Sequence, residues 1–266
     1  MFNVINEETN KPVNIVHFQG RTFDGFPKTI KIIQDYAQLK NKYERLSIVS
    51  CWTDDSKCIL KQQLDKFNIQ LINALPNNYD FNSKWYMPNK IKYYIDCLEN
   101  KINTKYVLIL DGYDVLICTF DNLIHKFLKT KYRILFNATI NNYPDEEIDI
   151  LYNRNKYLPY AYFNAGCCIG YRDDLIKFYK EALEYINIKN IYNSEQKILR
   201  HAFAKYSNNP DQNFIGLDYK REIFLTMEYS ISRFTYNLLT KKYNLYINFN
   251  KYEKLFNKMP NLWQRI

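Results

Sequence analysis

The run Tyr106-Val107-Leu108-Ile109-Leu110 is apolar throughout, with none of the in-and-out alternation of a half-exposed strand. A strand of that kind has to be covered on both faces, which points to a sheet flanked by helices. The flanking sequence supplies such helices. The apolar run Val13 to Phe18 is followed by a helical pattern from Pro27 to Leu39. A strand over Leu46 to Trp52 leads through the cap-rich Thr53-Asp54-Asp55-Ser56 into a helix over Lys57 to Phe67. A third strand is expected over Ile69 to Leu75, then a helix over Met87 to Lys101 with Ile91, Tyr94, Ile95 and Leu98 on one face. Further strands are expected over Tyr132 to Phe136, Phe163 to Tyr171 and Gly216 to Met227, with helices over Arg172 to Ile186 and Glu195 to Tyr206. Strands that alternate with helices at these intervals imply an α/β fold with a largely parallel, doubly wound sheet. In such sheets ligands collect at the carboxyl ends of the strands, so a polar residue just past an apolar run, such as Gln19, is a site candidate.

A chain of 266 residues, 47% of them hydrophobic and 17% aromatic, can bury a full core. It contains no internal repeat, low-complexity tract or linker, and a single domain over residues 1–266 is expected. The formal charge of +9 comes from scattered Lys and Arg residues that form no dense block. It argues for a mild attraction to phosphorylated small molecules and against a nucleic-acid partner. No basic and apolar leader opens the sequence, and no window reaches the roughly 20 apolar residues of a membrane span, so a soluble cytoplasmic protein is expected. The six cysteines show no CxxC pairing and fit buried free thiols in a reducing compartment. The sequon Asn137-Ala138-Thr139 reads as a chance match.

The central strand delivers Asp111-Gly112-Tyr113-Asp114. Side chains three apart on an unbroken strand point to opposite faces, so the two acids can share an ion only if the chain bends between them, and Gly112 permits a bend. Two carboxylates at a sheet edge are hard ligands for Mg or Mn, which also bind phosphates. Such a cation can stabilise a departing diphosphate, and Tyr113 offers a flat ring for a base or ribose. Two other readings stand beside this one. The element can be a polar turn with two solvated acids, or the site of a haloacid-dehalogenase-type phosphatase, although that motif is spaced DxD and lies near the start of its domain.

Three ordered segments sharpen the choice. Leu108 to Leu116 resembles the metal-binding strand of the glycosyltransferase domain in procollagen lysyl hydroxylases and the related collagen glycosyltransferases. Tyr162-Phe163-Asn164-Ala165-Gly166-Cys167-Cys168-Ile169-Gly170-Tyr171 resembles the "LNSGGFIG" strand of that family. Ser194-Glu195-Gln196 resembles its "DDQ" helix start, and Gly216 to Phe224 its "LDxxxxIF" strand. The resemblance implies a GT-A fold, a UDP-sugar donor, Mn dependence, and transfer of glucose or galactose to a hydroxyl acceptor. In the collagen enzymes the acceptor is hydroxylysine or galactosyl-hydroxylysine.

Carried onto this sequence, the resemblance implies that Asp111 and Asp114 bind the metal and that Tyr113 contacts the uridine. It places Lys90 near the nucleotide and Trp85 as a stacking tryptophan, with Trp52 as its competitor. Asn164, Ala165 and Gly166 would let the backbone approach a sugar, and the Asn164 amide can both donate to and accept from hydroxyls. Glu195 would orient or activate the acceptor hydroxyl, and is otherwise an ordinary first-turn acid behind an Asn193 or Ser194 cap. The family completes its metal site with a histidine after the last strand. This chain has only His17, His125 and His201, none of them after Met227. Either the sequence stops short of that segment or the third ligand is water or another group, and a GT-A-like module that binds nucleotide or glycan without turnover is the alternative.

Overall fold

The computed structural model describes residues 4–6, 9–19, 27–40, 43–80, 87–140, 162–186, 194–207, 213–227 and 245–247. The elements begin with β1 (Val4–Asn6), β2 (Lys11–Pro12), β3 (Ile15–Phe18), α1 (Pro27–Tyr36), β4 (Leu46–Ser50), α2 (Ile59–Asp65), β5 (Ile72–Asn73) and α3 (Asn89–Asn100). They continue with β6 (Tyr106–Leu110), β7 (Val115–Ile117), α4 (Leu123–Lys129), β8 (Ile134–Thr139), β9 (Tyr162–Tyr171) and α5 (Arg172–Leu183). The last are α6 (Glu195–Ser207), β10 (Ile215–Leu217), β11 (Phe224–Met227) and β12 (Leu245–Ile247).

The main sheet has six strands in the order β10-β8-β9-β6-β4-β5. β9 runs antiparallel to both its neighbours, and the other pairings are parallel. The fold is thus the expected α/β class with a mostly parallel sheet, consistent with GT-A. One buried cluster gathers Leu108 and Leu110 with α1, α2 and the β3 and β11 strands. The other gathers Val107 and Ile109 with α3, α5 and α6. The two faces of β6 therefore enter two different cores, which explains a strand without polar alternation.

A second sheet, β11-β3-β7, lies against the carboxyl end of β6. It forms because the chain turns at once after Asp111, and β7 pairs antiparallel with β3 through Ile117↔Ile15 and Val115↔His17. The single strand expected over Gly216 to Met227 is divided. The buried Asp218 carboxylate accepts the backbone N–H groups of Glu222, Ile223 and Phe224, and this turn sends β10 and β11 to different sheets. The strand expected over Ile69 to Leu75 is ladder-paired only at Ile72 and Asn73.

Among the described residues no helix is long and apolar enough to cross a membrane. All six cysteines are free and buried. Asn137 is wholly buried, so the sequon is closed to a glycan.

Candidate metal and donor site

Asp111 follows the last residue of β6, and its N–H donates to the Gly166 carbonyl at 2.8 Å. Asp114 closes the turn, where its carbonyl accepts the Phe18 N–H at 2.8 Å. These two bonds tie the acids to the main sheet and to β3 respectively. Gly112 serves the turn for a reason other than the expected backbone freedom: it has no positive φ. A Cβ there would lie 2.8 Å from Cys58 Sγ and 3.1 Å from Ser50 Oγ, so this turn packs against β4 and the start of α2 too closely for any side chain.

The bend brings in a residue that the sequence reading left aside. His17, on β3, has its Nε2 3.4 Å from Asp114 Oδ2. One ligand atom from each of His17, Asp111 and Asp114 lies within 4.8 Å of the others. The sequence signal was there: His17 interrupts an otherwise apolar strand, Ile15-Val16-His17-Phe18, and is itself buried. Burial alone would lower its pKa, but the Asp114 carboxylate outweighs that and raises it, with a smaller contribution from Asp111. The expectation of water or another group as third ligand left His17 aside, and the fold sets its imidazole beside the two acids. The donor atoms of one imidazole and two carboxylates fit a divalent cation. Asp114 Oδ1, buried without a hydrogen-bond partner among the described residues, is an oxygen such an ion would satisfy.

Lys90, on the first turn of α3, places its ammonium 2.5 Å from Asp111 Oδ1 and 3.1 Å from Glu195 Oε2. Burial pulls its pKa down, yet the Asp111 and Glu195 carboxylates hold it well above the ordinary lysine value. Asp111 thus gives one oxygen to Lys90, while its Oδ2 lies toward Gly166 and the imidazole. Glu195 opens α6 behind Ser194, whose hydroxyl accepts the Lys197 N–H at 3.3 Å and so caps the helix. Its carboxyl is pushed up to about 7 by burial, against the Lys90 charge, and its Oε1 is buried without a hydrogen-bond partner among the described residues.

Asn164, Ala165 and Gly166 form an irregular stretch of β9. The β8 partner shifts from Cys168 at Phe136 to Asn164 at Asn137, so three residues of β9 fall between adjacent β8 positions. Gln196 holds this kink: its Oε1 accepts the Ala165 N–H at 2.8 Å and its Nε2 donates to the Phe163 carbonyl at 2.6 Å. Gly166 faces inward, and a Cβ there would come within 2.4 Å of His17 Cε1 and 3.0 Å of Asp111 Oδ2.

Tyr113 is partly exposed, and its hydroxyl accepts the N–H groups of Thr53 (2.9 Å) and Asp54 (3.2 Å), which fixes the ring as a platform beside the acids. Trp52 is buried in the core. Gln19 sits at the end of β3, with its N–H on the Met227 carbonyl at 3.1 Å. Trp85 lies outside the described residues.

The chain is 25% identical over 141 residues to the "Uncharacterized protein R699" of Acanthamoeba polyphaga mimivirus, a match covering 52% of this chain and 28% of that protein's length. A family model described as "PLOD GT domain" matches residues 38–256, which include both acids, Lys90 and Glu195 but not His17. Because that match takes in most of the chain, the protein belongs to the PLOD family of glycosyltransferase domains.

Proposed function

We propose that this chain transfers a hexose, glucose or galactose, from a UDP-sugar to a hydroxyl acceptor, using a divalent cation held by Asp111, Asp114 and His17. The observation that carries the reading is the meeting of those three side chains at the carboxyl end of the central strand. Mn²⁺ suits the set better than Mg²⁺, because an imidazole ligand favours the softer ion. Bound there, the cation would supply charge stabilisation to the departing diphosphate.

The chain's own residues do the rest. Lys90 holds Asp111 in the orientation that leaves Oδ2 toward the imidazole. Tyr113 presents a fixed ring to the nucleoside, and the β9 kink at Asn164 to Gly166 brings backbone and an amide to the sugar. Glu195, with a pKa near neutrality, is suited to accept a proton from the attacking hydroxyl. The acceptor is a hydroxyl-bearing glycan or a collagen-like polypeptide. The alternative, a module that binds nucleotide or glycan without turnover, was motivated by the lack of a histidine after Met227, and the nearness of His17 to both acids supports the enzyme reading over it.

Release of UDP from UDP-glucose and UDP-galactose, measured with Mn²⁺ and with EDTA, tests the reading. Metal-dependent release from one donor is expected, and release from neither, with or without acceptor, refutes it. Asp114→Ala should abolish Mn²⁺-dependent UDP binding in calorimetry.

A further inference from the structure

His17 Nδ1 faces away from the two acids and lies 3.3 Å from Asn137 Nδ2. The orientation of the Asn137 amide follows from its neighbours. Asn164 Oδ1 accepts the Gly166 N–H at 2.9 Å, so it is an acceptor, and it lies 3.5 Å from the same Asn137 Nδ2. At the other end, Asn137 Oδ1 accepts the Thr226 hydroxyl at 2.7 Å. Asn137 therefore directs N–H toward His17 Nδ1, which must act as an acceptor. The proton of the neutral ring is then on Nε2, directed at Asp114 Oδ2, 3.4 Å away.

That arrangement conflicts with ligation. A metal bound through Nε2 needs the lone pair there, and a ligating imidazole donates its other N–H to an acceptor. Asn137 can become that acceptor only by turning its amide over, which puts Oδ1 against Nδ1–H and Nδ2 against Thr226. The Thr226 hydroxyl can follow, because a second acceptor, the Ala138 carbonyl, lies 3.2 Å from it. Asn137, Thr226, His17 and Asn164 are all buried, so a donor or acceptor left unmatched among them is costly.

We propose that Asn137 is a positioning residue for the metal, a two-way amide that holds His17 in the Nε2–H form until metal loading turns it over. The inference rests on the metal-site reading above. Loading converts one neutral tautomer of His17 into the other, with the proton passing from Nε2 to Nδ1 and no net change in protons. The opposing force is the pairing of Asn137 Nδ2 with Asn164 Oδ1, which the turned amide would replace by two facing oxygens.

The full chain labelled with ¹⁵N in its histidines tests this by NMR, read on the alkaline limb of a pH series once the ring has lost its imidazolium proton. The expected result is Nε2–H without metal and Nδ1–H once the diamagnetic Zn²⁺ is added. Nδ1–H already present in the metal-free chain overturns the proposal, and this arm needs no variant to fold. A second arm measures Mn²⁺ affinity by calorimetry in Asn137→Asp and Asn137→Leu. The carboxylate accepts from Nδ1–H without turning, so it should bind at least about tenfold more tightly than the leucine variant. That difference should vanish when both are made in a His17→Gln background; its persistence there marks a simple charge effect and sinks the proposal. If His17→Gln alone leaves Mn²⁺ affinity unchanged, the metal-site reading itself fails. If it weakens binding while the two Asn137 variants match, only the role of Asn137 is lost.

Discussion

The Lys90 ammonium lies 3.1 Å from the Glu195 carboxylate, and both side chains are buried. With Asp111 on its other side, this one cation compensates two acids from different elements, α6 and the end of β6. Lys90→Met should therefore destabilise the fold, by up to about 3 kcal/mol, because it leaves the buried Glu195 carboxylate uncompensated while the partly exposed Asp111 is screened by solvent. Urea unfolding reads the loss directly. Added Mn²⁺ should stabilise this variant more than the parent, since it restores a positive charge beside Asp111. An unfolding midpoint that does not move would mean that the pair contributes nothing.

Glu195 also separates binding from chemistry. In Glu195→Ala the rate of sugar transfer should fall by about 10²-fold or more, while the dissociation constant for the donor changes much less. Single-turnover transfer and calorimetry of UDP binding give the two numbers. Equal losses in both would remove Glu195 from acceptor activation.

The same carboxyl makes stability depend on pH with a definite sign. Its folded pKa, about 7, lies above the ordinary 4.5, so between those values the folded chain holds a proton that the unfolded chain has lost. Stability from this group is therefore full at acid pH, falls as pH rises through that window, and is lowest above it. A shift of this size corresponds to about 3 kcal/mol. Glu195→Gln cannot lose a proton, so the unfolding free energy of this variant should decline less from pH 4.5 to 7 than that of the parent. Parallel pH profiles for the two chains would contradict the buried, raised carboxyl.

Gly166 fixes the distance between β9 and the metal site. The methyl of Gly166→Ala would meet His17 Cε1 at 2.4 Å, so the imidazole or the strand must move. Overpacking of this kind costs about 1–3 kcal/mol, and the displaced ring should weaken Mn²⁺ binding. The control is Gly170→Ala, on the same strand but against Leu175 and Arg133, which should destabilise the fold without touching metal affinity. Equal Mn²⁺ affinity in Gly166→Ala and the parent would detach β9 from the site.

Much of this protein was legible in one dimension. The unbroken apolar run of β6 implied two covered faces, and the two cores that flank it are its consequence. The spacing of Asp111 and Asp114 around a glycine announced a turn at a sheet edge, and Ser194-Glu195-Gln196 announced a helix start, although the burial of Glu195 came only with the fold. These features are local, since a strand period, a cap and a tight turn are set by residues within a few positions of one another. What only the tertiary structure decided is non-local. His17 reaches Asp114 because β7 folds back on β3, nearly a hundred residues earlier in the chain, and no periodicity encodes that pairing. Gly112 is a glycine because α2 and β4 press on the turn, and Asn137 faces His17 because β9 slips its register beside it. Such contacts depend on how separate elements stack, and a buried polar residue in an apolar strand is the one trace they leave in the sequence.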